Sequence, residues 1–133
     1  MPHVSRKKVD KKVLDEILDF LVIVLTGVNE EKEMKMLLDA FLTSTEKIML
    51  AKRLGVAYML EEKIPFDEIS GTLSVTRPTI DKIRIWLKLE ESGYELALKV
   101  LRKTKNLEAF KQIFKDVLKR MAKPYSGFMK ELG

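Results

Sequence analysis

Cysteine is absent from the 133-residue chain. That excludes a disulfide scaffold, thiolate metal ligation and a cysteine nucleophile. Histidine occurs once, at His3. A cluster of histidine metal ligands or a Ser-His-Asp triad therefore has no basis. Six glycines and four prolines are too few for a turn-rich all-β fold. No apolar run exceeds the six residues at 20–25, whereas a membrane span needs about 20. The first eight residues are basic, and no apolar signal core follows them. These absences predict a soluble, cytoplasmic protein with no membrane partner and no cofactor.

What is present is apolar and charged in balance. Hydrophobic residues make up 46% and charged residues 34%, enough to bury a core and keep a wet surface. The net charge of +5 is unevenly spread. Residues 1–12 carry five bases and one acid, 13–42 two and seven, and 74–88 four and one. An acidic region between basic ones suits a protein that binds nucleic acid by some surfaces and not others, although lysine-rich helices are also simply soluble.

Periodicity predicts helix almost throughout. Val9, Val13, Leu14, Ile17, Leu18, Leu21 and Leu25 follow the 3, 4 spacing of one helical face, with Gly27 as a stop. Asn29 is expected to cap a second helix with the stripe Met34, Leu37, Leu38 and Phe41. Thr43 and Glu46 have the capping-box spacing for a third, with Leu50, Leu54, Ala57, Tyr58 and Leu60 inward. Pro65 breaks the chain before a short helix at 66–73, and Thr76 is expected to cap the next, running to about 91. One or two more helices, broken near 104–106, end at Pro124. The expected organisation is a basic N-terminus at 1–8, a helical DNA-binding domain at 9–94, a basic helical extension at 95–123 and a tail at 124–133. The fold class is all-α.

Residues 66–91 fit a helix-turn-helix. Two short helices cross tightly there, so apolar side chains are needed at fixed offsets and a small residue at the crossing. Ile69, Leu73 and Val75, then Ile80 and Ile83, supply the first, and Ser70 supplies the second. The turn favours glycine for a left-handed backbone, and Ser74 stands there instead. With Ile80, Ile83 and Leu87 inward, Arg77, Pro78, Thr79, Asp81, Lys82 and Arg84 are the candidate DNA contacts. Arg77 can reach a guanine edge with two donors, and Thr79 a phosphate or a thymine methyl. Lys82 and Arg84 suit phosphates, and Asp81 a cytosine or the exclusion of wrong placements.

At these residues a family becomes visible. The stretch 37–94 resembles the Trp-repressor-like DNA-binding family. The likeness is carried by Leu37-Leu38-Asp39-Ala40-Phe41-Leu42-Thr43, by Arg53, by Thr79-Ile80-Asp81-Lys82-Ile83 and by Gly93-Tyr94. The resemblance implies an interlocked homodimer that places two recognition helices in successive major grooves of double-stranded DNA. It also implies transcriptional regulation, with repression as the expected role. In the best-known relative, tryptophan sits against positions that correspond to Thr43, Arg53, Lys82, Ile83 and Trp86. Ile83 stands where that relative has glycine, and Trp86 where it has serine. The ligand slot is therefore expected to be filled by the chain's own side chains, and regulation to be independent of tryptophan. The DNA-contact positions differ as well, so neither an operator nor a small-molecule effector follows from the family.

Other features read more plainly. Trp86, beside Ile83 and Leu87, is expected in the core. The methionines are expected to fill core gaps. The basic C-terminal helix is expected to dock through Phe110, Ile113, Phe114, Val117 and Leu118, with its lysines solvated. Glu61-Glu62 and Glu90-Glu91 point apart on a helix, so no two-carboxylate enzyme is expected. A replication-initiator-like nucleic-acid module and a helical protein–protein adaptor are the alternative readings.

Overall fold

A computed structural model describes residues 9–104 and 106–122, with the side chains of residues 121 and 122 left aside. The expected basic N-terminus at 1–8, Pro124 and the tail lie outside the described residues. Among these residues there are seven helices and no strand. They are α1 (Lys11–Thr26), α2 (Glu31–Phe41), α3 (Ser44–Glu61), α4 (Phe66–Leu73), α5 (Arg77–Leu87), α6 (Gly93–Arg102) and α7 (Leu107–Ala122). The all-α expectation holds. The chain falls into two compact units, Met1–Met49 and Leu50–Gly133, and their boundary lies inside α3.

In the first unit, Asp10 caps α1 by accepting from the Lys12 N–H at 2.8 Å. Gly27 ends the helix with an ordinary right-handed backbone, its N–H donating to the Ile23 carbonyl. The N-cap of α2 is Glu30, with no side-chain bond, rather than the expected Asn29. Helical geometry begins at Glu31, which leaves Asn29 one residue too early. The capping box of α3 forms as expected. The Thr43 N–H donates to Glu46 Oε1 at 2.8 Å, and the Glu46 N–H donates to Thr43 Oγ1 at 3.1 Å. The Thr43 N–H, and after it the Thr43 hydroxyl, favours the charged form and holds the Glu46 carboxyl below its ordinary range. No residue of α1 or α2 is buried.

The second unit holds the core: Val56, Ala57, Met59, Ile69, Ile80, Ile83, Leu98 and Phe114. The stripe expected on α3 was too narrow. Val56 and Met59 are fully buried, and Leu50 is exposed. The middle of α3 is covered on more than one side, so a single stripe does not describe it. A Cβ at Gly55 would lie 3.0 Å from Leu73 and 3.5 Å from Phe114, so glycine here lets side chains of α4 and α7 reach the α3 backbone. Within this unit α5 packs on α4 and α6, and α4 packs on α7.

The next helix ends at Leu87, earlier than the expected 91. Glu91 turns left-handed at φ 54, and Ser92 starts α6 instead of ending α5. Its hydroxyl accepts from the Glu95 N–H at 3.3 Å, and the residue is buried. The last helix docks by an aromatic cluster in which the rings of Tyr58, Phe110 and Phe114 stand 5.0–5.1 Å apart. Burial there raises the Tyr58 hydroxyl above its ordinary range, and the charge of Glu62 adds to the effect. Ile113, expected on the docking face, is 58% exposed.

Candidate nucleic-acid interface

The site is built on two short helices and the turn between them. Pro65, at φ −61 and ψ 151, opens α4 in extended backbone that cannot continue a helix backwards. Ile69 fixes α4 in the core with no exposure. The turn then requires a left-handed residue, and Ser74 takes it at φ 52 and ψ 54. A side chain in that region costs about 1 kcal/mol or more, so the surroundings must hold it. Ser70 Oγ donates to the Val75 carbonyl at 2.9 Å, and Lys52 Nζ donates to the Ser74 carbonyl at 3.3 Å. Ser70 is thus more than a small residue at a crossing. It ties the turn to α4, while Lys52 ties it to α3.

Thr76 occupies the N-cap of α5, but its hydroxyl makes no cap bond to the backbone. It lies 3.1 Å from the Thr79 hydroxyl instead. Pro78 sits in the first turn, where its missing N–H has no helical partner to lose. Ile80 is fully buried and Ile83 nearly so, with 3% exposure. At 100° per residue, these two and half-buried Leu87 set the inward face. Pro78, Asp81, Lys82 and Ile85 then lie opposite the core. Arg77 and Arg84 form one flank, Thr79 and Trp86 the other.

The six candidate contact residues therefore spread from one flank of α5 across its outer side to the other, and they differ in state. Arg77 is exposed, and its Cζ lies 3.8 Å over the ring centroid of Phe66. Arg84 pairs with Asp81 at 3.5 Å, with both side chains nearly half exposed. Such a pair contributes about 0.3–0.5 kcal/mol and partly neutralises the flank. Lys82 is exposed and makes no ion pair among the described residues. Thr79 is half-buried. Ile85 did not figure in the sequence reading, yet it is 62% exposed on the outermost line of the helix. The helical wheel carried that signal, but an isoleucine is ordinarily assigned inward.

The residues of the expected ligand slot differ in their surroundings. Thr43 is engaged in the α3 capping box, in the first unit. In the second unit, Ile83 is core as expected. Trp86 is not. It is 49% exposed and lines an open groove of about 350 Å³ with Arg53, Leu54, Tyr94 and Ala97. Its position at right angles to the Ile80–Ile83 face turns it away from the centre. On the opposite flank, Arg84 and Lys88 line a groove of about 420 Å³ with Glu61 and Glu95.

A family model described as Trp repressor protein matches residues 16–102, about two thirds of the chain. The chain belongs to that family. Comparison with curated proteins and with solved structures found no match. The family is one of DNA-binding transcription regulators, not of enzymes, and the match spans α2 to α6 and most of α1. It stops before α7, so the helix that buries Phe114 against this core lies beyond the family model. No helix among the described residues is long and apolar enough to cross a membrane.

Proposed function

We propose that the protein is a sequence-specific double-stranded DNA-binding repressor, acting in the cytoplasm as a homodimer and without tryptophan. In this reading residues 9–94 pair the protomers and read DNA, and 95–123 support them. The observation that carries it is the exposed side of α5. A helix held by Ile80 and Ile83, following a braced left-handed turn, offers Arg77, Pro78, Lys82 and Arg84 to the solvent, with Thr79 and Asp81 half-buried beside them. In a helix-turn-helix the N-terminal part of this helix meets base edges. Independence from tryptophan is supported by Ile83. Its side chain fills core where a ligand-binding relative leaves space, so the recognition helix is held in place without a ligand. Dimerisation is supported by α1, which leaves Val13, Leu14, Ile17, Leu18, Phe20, Val22 and Ile23 exposed.

The test is a pair of substitutions measured against a selected site and against unrelated duplex. Arg77→Ala is expected to cost about 1–3 kcal/mol on the selected site and to relax sequence preference. Lys82→Ala is expected to weaken all duplexes alike and to reduce the salt slope by about 1. Parent-like binding by both variants would mean that α5 is not the reading helix.

A further inference from the structure

We infer that Phe66 is a specificity-determining positioning residue, whose ring holds the Arg77 guanidinium ready to read a guanine edge. The inference rests on the DNA-binding reading of α5. Phe66 is the first residue of α4 and Arg77 the first of α5, so the contact joins the starts of the two helices. At 3.8 Å from the ring centroid, Cζ is at van der Waals distance. A guanidinium reaches that distance by lying flat on the ring face. Its N–H donors lie in its own plane, so stacking restrains the fork and leaves the donors available.

Two other arginines of this unit, Arg84 and Arg102, make the contrast. Arg84 donates to Asp81, and Arg102 donates to Glu61. Each gives one nitrogen to a carboxylate of the same chain. Arg77 makes no ion pair among the described residues and is held by its face alone. Guanine offers O6 and N7 as two acceptors matched to the fork. A pre-stacked fork loses less rotamer freedom on binding, and that saving applies to the sequence that supplies the guanine.

The experiment uses the full chain and a duplex that it selects from a random pool. Its probes are that duplex, a scrambled one, and versions with 7-deazaguanine, which lacks N7, at each guanine in turn. Folding of each variant is checked by thermal melting. Arg77→Ala is expected to abolish the penalty at one guanine. Phe66→Leu, which keeps an apolar side chain without a π face, is expected to lower the selected-over-scrambled ratio about two- to fivefold, the range of an exposed cation–π contact. It should shrink the penalty at that same guanine and leave scrambled binding unchanged. Phe66→Tyr keeps the ring and is expected to behave as the parent. If Phe66→Leu matches Phe66→Tyr while Arg77→Ala loses the penalty, the stack does not position Arg77 and the inference is overturned, with the DNA reading intact. If the parent itself does not distinguish selected from scrambled duplex, both fall together.

Discussion

The two units of this chain use similar apolar content in opposite ways. In Leu50–Gly133 the apolar residues of α3 to α7 close on one another, and among the described residues the eight buried hydrophobic ones all lie there. In Met1–Met49 the two complete helices bury nothing, although α1 is the more apolar. The difference lies in pattern. Helix α5 keeps its buried residues on one side, where α4 and α6 cover them. The second half of α1, residues 20–25, is apolar on every side. A helix of that kind needs cover from more than one direction. Apolar surface becomes core only where enough elements surround it, which is why the proposal assigns the first unit to a second copy of the chain.

Three changes would break or sharpen that contrast. The largest effect is expected from Ile80→Ala, which empties a fully buried site in the second unit. The loss is expected at about 2–5 kcal/mol, read by denaturant unfolding. A loss well under 1 kcal/mol would mean that this core is not the one that holds the protein together. Next comes Phe20→Glu on α1, where the side chain is 65% exposed and no core packing is lost. Light scattering at micromolar concentration is expected to move from about twice 15.4 kDa toward 15.4 kDa. A parent already at 15.4 kDa would remove the two-half-site arrangement. The smallest effect is expected from L-tryptophan at millimolar concentration, which should give no heat of binding and no change in DNA affinity. A tenfold gain, about 1.4 kcal/mol, would mean that the groove beside Trp86 takes the ligand after all.

Much of the fold was legible because local chemistry and tertiary packing agree. The capping box at Thr43, the break at Pro65 and the limits of α4 follow from residue types whose backbone demands are strong. So do Ile69, Ile80 and Ile83, where period and burial coincide. The failures lie where a local rule competed with a neighbour. Ser92 reads equally as a stop or a cap, and the left-handed Glu91 before it decided the matter. Val56 and Met59 fall outside any single stripe because α3 is packed on more than one side. Trp86 was assigned inward by its chemistry, while its angular position on α5 turned it into the groove wall. Nothing in the spacing of Phe66 and Arg77 marks a stack, since it forms only once the two helices have crossed. The basic stripe of α7 gave its sign but not its role, which depends on docking through Tyr58 and Phe114.

The most direct test of the central claim is selection of bound duplexes from a random pool, with the parent chain at physiological salt. The account predicts an enriched inverted repeat. Its half-sites should lie about one helical turn apart, 10–10.5 base pairs centre to centre or a multiple of that, each with a guanine that Arg77→Ala ceases to require. A pool that stays random after repeated rounds, or enriches a single unrepeated element, would contradict a dimer that reads sequence through α5.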